Sequence, residues 1–186
     1  MIGIRGAESG DAPSIAAIYA PHVLTGTASF EIQPPDAEAM RARMADGDGL
    51  YPWLVATNGE PEGGVIGYAY ARRFRERPAY RFVVETAIYM ADVAQNQGAG
   101  RLLYEALIDT LRAQGFVHAI GAIALPNDAS IRLHEAVGFR RTGVYREVGF
   151  KHGQWMDVGI WQCELNEPQV PPVEPRKFSD VGLVRD

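Results

Sequence analysis

The chain has 186 residues, 47% of them hydrophobic and 22% charged, with eighteen Lys and Arg against twenty-three Asp and Glu. That length suits one domain, at roughly 100–200 residues per domain, and needs no disulfide or metal staple to bury a core. The formal charge of −5 argues against binding nucleic acid through its phosphates and against anionic membranes. No apolar run approaches the roughly 20 residues that span a bilayer. Met1-Ile2-Gly3-Ile4-Arg5 lacks the pattern of a signal peptide. Cys163 is the only cysteine, which excludes an internal disulfide and a cysteine-based metal cluster. The expectation is a soluble cytoplasmic protein without a metal.

Residues 2–6 alternate and predict a first strand. Asp11 is the expected N-cap of a helix carrying Ile15, Ile18, Tyr19 and Val23, with Pro13 in its first turn. Pro34-Pro35-Asp36 opens a second helix bearing Met40 and Met44, closed by the glycines of 47–49. Strands are expected over 53–57, 65–71 and 80–90, the first two flanking a turn at 58–64. In the third, Phe82, Val84, Thr86, Ile88 and Met90 alternate with Val83, Glu85, Ala87 and Tyr89. Residues 98–114 predict the clearest helix, with Leu102, Leu103, Ala106, Leu107, Thr110 and Leu111 as its apolar stripe and Gly115 as a left-handed cap. Residues 117–125 are apolar throughout, as in a strand buried on both faces. A short helix over 128–137 ends at Gly138. Runs over 139–150 and 155–165 make a final hairpin around His152-Gly153. The order predicts an α+β, mixed-sheet architecture. Residues 1–165 form the domain, and 166–186 a proline-rich tail, extended from Pro168.

The sharpest local feature is Gln95-Asn96-Gln97-Gly98-Ala99-Gly100, between a strand and the long helix. The first N–H groups of a helix lack internal partners and sit at the positive end of its dipole. Glycines there let backbone approach a ligand, so the loop suits a pyrophosphate. The dinucleotide fingerprint fails at Leu103, and the P-loop fails at Arg101-Leu102. On the glycines alone, a loop that merely eases entry into a helix is an equal reading.

This Q-x-x-G-x-G pattern resembles the acetyl-CoA loop of the GNAT superfamily of N-acetyltransferases. Downstream, Asn127-Asp128-Ala129-Ser130 leads through His134-Glu135 to Gly138-Phe139, similar to the second signature of that family. Val84-Glu85-Thr86-Ala87-Ile88-Tyr89, Pro126-Asn127-Asp128, the run 149–155 and the run 157–162 resemble the phosphinothricin and methionine sulfoximine or sulfone branch. The resemblance covers about residues 2–165. It implies a splayed, mostly antiparallel mixed sheet flanked by about four helices, acetyl-CoA as cosubstrate, and a homodimer. The implied reaction is acetylation of the α-amino group of a small amino acid analogue, by direct attack in a ternary complex. An amine other than an amino acid (a polyamine or a protein N-terminus) and a non-catalytic acetyl-CoA-binding module are the competing readings.

Only the free base of an amine attacks a thioester, so a base must stand near it. Glu85, mid-strand before the cofactor loop, fills that position in the matched branch; an ion pair with Arg81 or Arg77 is the bland alternative. His134 stands where many relatives have a tyrosine, and is the candidate to stabilise the departing thiolate. Asn127 is placed to bond pantetheine amides, or to cap the helix beside it. Ile88, Tyr89 and Met90 occupy the family position for pantetheine pairing and the oxyanion. With Asn96, Gln97, Gly98, Ala99, Gly100 and Arg101 they make up the expected cofactor site. The run Arg72-Arg73-Phe74-Arg75-Glu76-Arg77 precedes the catalytic strand, where the branch recognises carboxylates. Arg75 and Arg77 are the expected partners of substrate, with Glu85, Thr86, Ala87, Phe30 and Tyr80 around them.

Overall fold

The structure is a computed structural model and describes residues 2–59, 64–94 and 98–185. Its elements in chain order are β1 (Gly3–Gly6), α1 (Ala12–Leu24), α2 (Ala37–Ala45), β2 (Trp53–Thr57), β3 (Val65–Arg73), β4 (Val83–Met90), α3 (Ala99–Gln114), β5 (His118–Leu125), α4 (Asp128–Ala136), β6 (Arg140–Lys151), β7 (Gln154–Glu164) and α5 (Phe178–Val181). Seven strands form one sheet in the order β1-β2-β3-β4-β5-β7-β6. Neighbours are antiparallel except β4 and β5, which run parallel. This is the mixed, mostly antiparallel architecture expected from the element order.

The alternation of β4 sends its side chains to two cores. Val84, with Ile88 and Met90 beside it, packs with Leu103, Tyr104, Leu107 and Leu111 of α3. Tyr89 packs against the opposite core, built from Ile15, Val23, Met40 and Trp53, and meets Tyr19 edge-on at 4.9 Å. Burying a Leu or Phe side chain is worth about 1.5–3 kcal/mol. The fully buried Leu103, Leu107, Leu111 and Phe116 therefore hold α3 firmly against the sheet. Gly115 ends that helix at φ +95 in the left-handed conformation, as its sequence predicts.

Four local expectations are corrected. Asp11 does not cap α1: its carboxylate takes two guanidinium N–H groups of Arg5, at 2.7 Å each, and the Glu8 N–H at 2.8 Å. Two charged bonds outweigh one neutral cap. Asp36, by contrast, does cap α2, accepting the Ala39 N–H at 2.8 Å. Leu102 is half exposed, and Tyr104 and Ile108 complete the buried stripe of α3 instead. β4 begins at Val83 because Pro78 opens a tight 3-10 turn over Pro78–Tyr80. The proline-rich tail is docked and carries α5. The Arg176 N–H donates to the Gln114 carbonyl at 2.8 Å, and Gln114 Nε2 donates to the Leu50 and Arg176 carbonyls at 2.7 and 2.8 Å.

Candidate active site

β4 and β5 pair only at Val83↔His118, Val84↔Ala119 and Glu85↔Ile120. Beyond those rungs β4 stays bonded to β3 as far as Gly67↔Met90, and β5 to β7 as far as Leu125↔Asp157. The inner edges from Thr86 and Gly121 onward face a gap instead of each other. Such edges hold backbone N–H and C=O groups in need of partners, which a ligand carrying amides can supply.

A cavity of about 460 Å³ fills this fork, lined by Thr86 to Met90, Ala122 to Ala124, Gly98, Gly100, Arg101, Asn127, Ser130 and His134. Gly98 precedes α3 at φ +78, and a Cβ placed on it would meet nothing within 4 Å. The left-handed glycine turns the chain so that the free N–H groups of the first helical turn border the cavity. Asn127 Oδ1 accepts the Ser130 N–H at 3.1 Å and caps α4, while its Nδ2 can donate to a ligand. Arg101 pairs with Glu105 at 2.7 Å.

A second cavity, of about 360 Å³, opens beside the fork and shares Thr86, Ala87, Tyr89, Ala122 and Ala124 with it. Its other walls include Tyr19, Ser29, Phe30, Glu31, Tyr70, Arg72 and Glu85. Arg72 Nε donates to Glu85 Oε1 at 3.1 Å, and Nη2 donates to the same oxygen. Among the described residues no bond reaches Oε2. Glu31 is gripped by Arg43 at 2.7 and 2.9 Å and by the Tyr19 hydroxyl at 2.9 Å, and Arg43 holds its carboxyl below the usual range. Burial raises the Tyr70 phenol to about 12, so it stays neutral. An outer cavity of about 450 Å³ continues past Glu85 between Phe30, Arg75, Tyr145 and Val148.

His134 closes the other side of the fork. The imidazole is buried, packs edge-on against Tyr104 at 5.0 Å, and lies on Gly121, where a Cβ would come within 2.8 Å of Nε2. Its Nδ1 is 2.8 Å from the Ser130 carbonyl. A carbonyl only accepts, so Nδ1 carries the proton and Nε2 a lone pair. Burial pushes its pKa down to about 4. A neutral ring in this tautomer offers the fork an acceptor.

Glu85, Thr86, Ala87, Ile88, Tyr89, Met90, Gly98, Gly100, Arg101, Asn127 and His134 thus come together at the fork and the cavity beside it, with Phe30 as a wall. Ala99 is buried; Asn96 and Gln97 lie outside the described residues. Arg75 borders the outer cavity with its guanidinium 5.1 Å from the Phe74 ring. Arg77 lines none of these three cavities, and the half-exposed Tyr80 packs edge-on against Phe74. Glu85 pairs with Arg72, not with Arg81, which binds Glu174, nor with Arg77. Sequence reasoning missed Arg72, Tyr70 and the Glu31–Arg43 pair. Continuing the β3 strand two residues, to Arg73, would have put Arg72 opposite Glu85.

Residues 4–160 match the family described as Acetyltransferase (GNAT) domain. The chain belongs to this family. The phosphinothricin N-acetyltransferase of Alcaligenes faecalis is 46% identical over 165 residues, covering 88% of this chain and 82% of that protein. The L-methionine sulfoximine/L-methionine sulfone acetyltransferase of Pseudomonas paraeruginosa is 36% identical over 173 residues, 91% of this chain and 98% of that one. Among solved structures, a GNAT superfamily phosphinothricin acetyltransferase from Sinorhizobium meliloti in complex with AcCoA matches with a TM-score of 0.85 and 38% identity over 97% of each chain. The protein is an N-acetyltransferase of the GNAT fold, as its two paired motifs implied.

Proposed function

We propose that the protein transfers the acetyl group of acetyl-CoA to the α-amino group of a small amino acid analogue of the phosphinothricin, methionine sulfoximine or methionine sulfone kind. The observation that carries this reading is the position of Glu85, on the wall of the second cavity one residue before the fork opens, with Arg72 fixing one of its oxygens. A carboxylate there can take the proton of an ammonium entering from that cavity, directly or through one water, while the acceptor reaches the fork.

The fork fits acetyl-CoA by its chemistry. The inner edge of Ile88, Tyr89 and Met90 offers backbone partners to pantetheine amides, Asn127 offers Nδ2, and the N-terminus of α3 at Gly98 and Gly100 offers N–H groups to a pyrophosphate. The same edge supplies an N–H to a developing oxyanion. Arg72 and Arg75 flank Glu85 and suit the α-carboxylate, because a guanidinium fork matches a carboxylate. His134, neutral and acceptor-only at Nε2, shapes the fork and does not serve as the acid. Transfer is direct, since Cys163 lies in the α3-side core with its thiol pushed up by burial. The exposed Val148, Phe150 and Trp155 of the β6–β7 hairpin supply an apolar face for the second copy of a homodimer. A reduced lone cysteine suits a cytoplasmic setting.

CoA release should be measured with phosphinothricin, methionine sulfone, spermidine and a peptide with a free N-terminus. The amino acid analogues should lead; spermidine or the peptide in first place would leave an acetyltransferase with another substrate.

A further inference from the structure

Lys151, at the end of β6, is only 5% exposed, which is uncommon for a lysine. Its Nζ donates to the Ser29 carbonyl at 2.6 Å and to the His22 carbonyl at 3.3 Å. His22 belongs to the last turn of α1, where carbonyls carry partial negative charge. The same hairpin holds the following segment twice more. His152 Nε2 lies 3.2 Å from the Gly26 carbonyl. Phe30 sits so close on Gly149 that a Cβ there would fall 2.2 Å from its ring. From the opposite side, Ser29 Oγ is 2.7 Å from the Tyr19 hydroxyl and accepts the Glu31 N–H at 3.1 Å. The gripped segment is the one that borders the site. Ala28 lines both the fork and the second cavity, and Ser29, Phe30 and Glu31 line the second.

We infer that Lys151 is a positioning residue for the acceptor: its ammonium ties the β6–β7 hairpin to residues 26–31 and so fixes the wall against which the amine is held. This rests on the second cavity being the acceptor pocket. A desolvated ammonium is costly unless its donors are matched, and Lys151 meets two carbonyls that only a folded α1–α2 connection brings together. The bonds go to backbone, so they fix the path of the segment whatever side chains it carries. Gly98 and Asn127 stand at the starts of α3 and α4, to which Lys151 donates no hydrogen bond. Of residues 26–31 only Ala28 borders the fork, whereas Ala28, Ser29, Phe30 and Glu31 all border the second cavity, so loosening the clamp should weigh on the amine far more than on acetyl-CoA.

Lys151→Met keeps the apolar stem and removes the ammonium. Amide exchange over residues 26–31 should accelerate about tenfold or more, as expected of a segment that opens locally. The KM for the best amine should rise roughly tenfold, the scale of one lost charged hydrogen bond, with kcat and the acetyl-CoA dissociation constant within about threefold of the parent. Lys151→Arg, which keeps charge and donors, should recover part of the amine KM. Should the Met variant fail to fold, His152→Ala removes the hairpin's contact with the Gly26 carbonyl at a residue that lines neither cavity, and should give a smaller form of the same split. Unchanged exchange over residues 26–31 overturns the clamp. Faster exchange with an unchanged amine KM, or with losses in kcat and acetyl-CoA affinity instead, overturns the positioning role. If the parent protein acetylates no amino acid analogue, the substrate reading fails while the exchange experiment still decides the clamp.

Discussion

Arg72 and Glu85 are register partners across β3 and β4, and both donors of Arg72 fall on the same oxygen, Oε1 of Glu85. The carboxylate is held in one orientation while Oε2 keeps its lone pairs. It is thus both anchored and available as a proton acceptor. Glu85→Gln should fold, bind acetyl-CoA as before, and turn over about 10²–10⁴-fold more slowly, the usual range for a general base. The loss should shrink as pH rises and more of the amine is already deprotonated. Steady-state CoA release between pH 7 and 9 checks both points; a rate near that of the parent at pH 7 would remove Glu85 from the mechanism.

Gly98 tests the cofactor cradle. Its φ of +78 is strained for other residues, so Gly98→Ala should cost about 1 kcal/mol of stability. Gly98→Glu adds a negative charge where a pyrophosphate is expected, and should weaken acetyl-CoA binding far beyond the Ala variant. Calorimetric titration of both variants separates strain from charge. Equal affinities in the two would dismiss the cradle.

His134 makes stability depend on pH in a definite direction. Its folded pKa lies near 4, below the ordinary 6.5, because burial disfavours the cation. The unfolded chain therefore takes up the proton first as pH falls. The contribution is complete above about pH 6.5 and is lost on the way down to pH 4, roughly 3 kcal/mol in all. Denaturant unfolding of His134→Gln between pH 4.5 and 7 should show a flatter profile than the parent. A slope that survives the substitution would place the titration elsewhere.

The docked tail should carry stability. Gln114→Ala leaves the Leu50 and Arg176 carbonyls without their side-chain donor, a loss of about 2 kcal/mol. For a chain of this length that lowers Tm by roughly 4–8 °C. Deletion of residues 168–186 should lower it further. Calorimetric scans showing the parent Tm for the deletion would mean that the docking contributes nothing.

Much of this arrangement was legible in the sequence because it rests on local rules. The alternation of β4, the opening of α2 after Pro34-Pro35-Asp36 and the left-handed Gly115 follow from pattern and backbone freedom, and each stands where it was expected. The motifs Gly98-Ala99-Gly100 and Asn127-Asp128 meet at a single fork although the helix and strand of residues 101–126 separate them. What escaped depends on contacts distant in the chain. Asp11 has the residue type of a cap, but Arg5 claims its carboxylate from β1. Arg72 differs from Arg75 and Arg77 only in being the rung opposite Glu85, a fact of register. Lys151 carries no local sign, within the run 149–155, that its ammonium meets the Ser29 carbonyl of the α1–α2 connection. The tail, rich in proline, gives no sign that Gln114 fastens it.

The central claim is that the acceptor is a free amino acid analogue whose carboxylate meets the arginines beside Glu85. Its most direct test is the ratio of kcat/KM for methionine sulfone to that for its carboxamide, in the parent, Arg72→Ala and Arg75→Ala. A charged hydrogen bond contributes about 1.5–3 kcal/mol, so the acid should lead the amide by roughly 10–100-fold in the parent. The arginine that holds the carboxylate should erase that lead when replaced, and the other should leave it standing. An acid and amide turned over equally well by the parent would contradict the account.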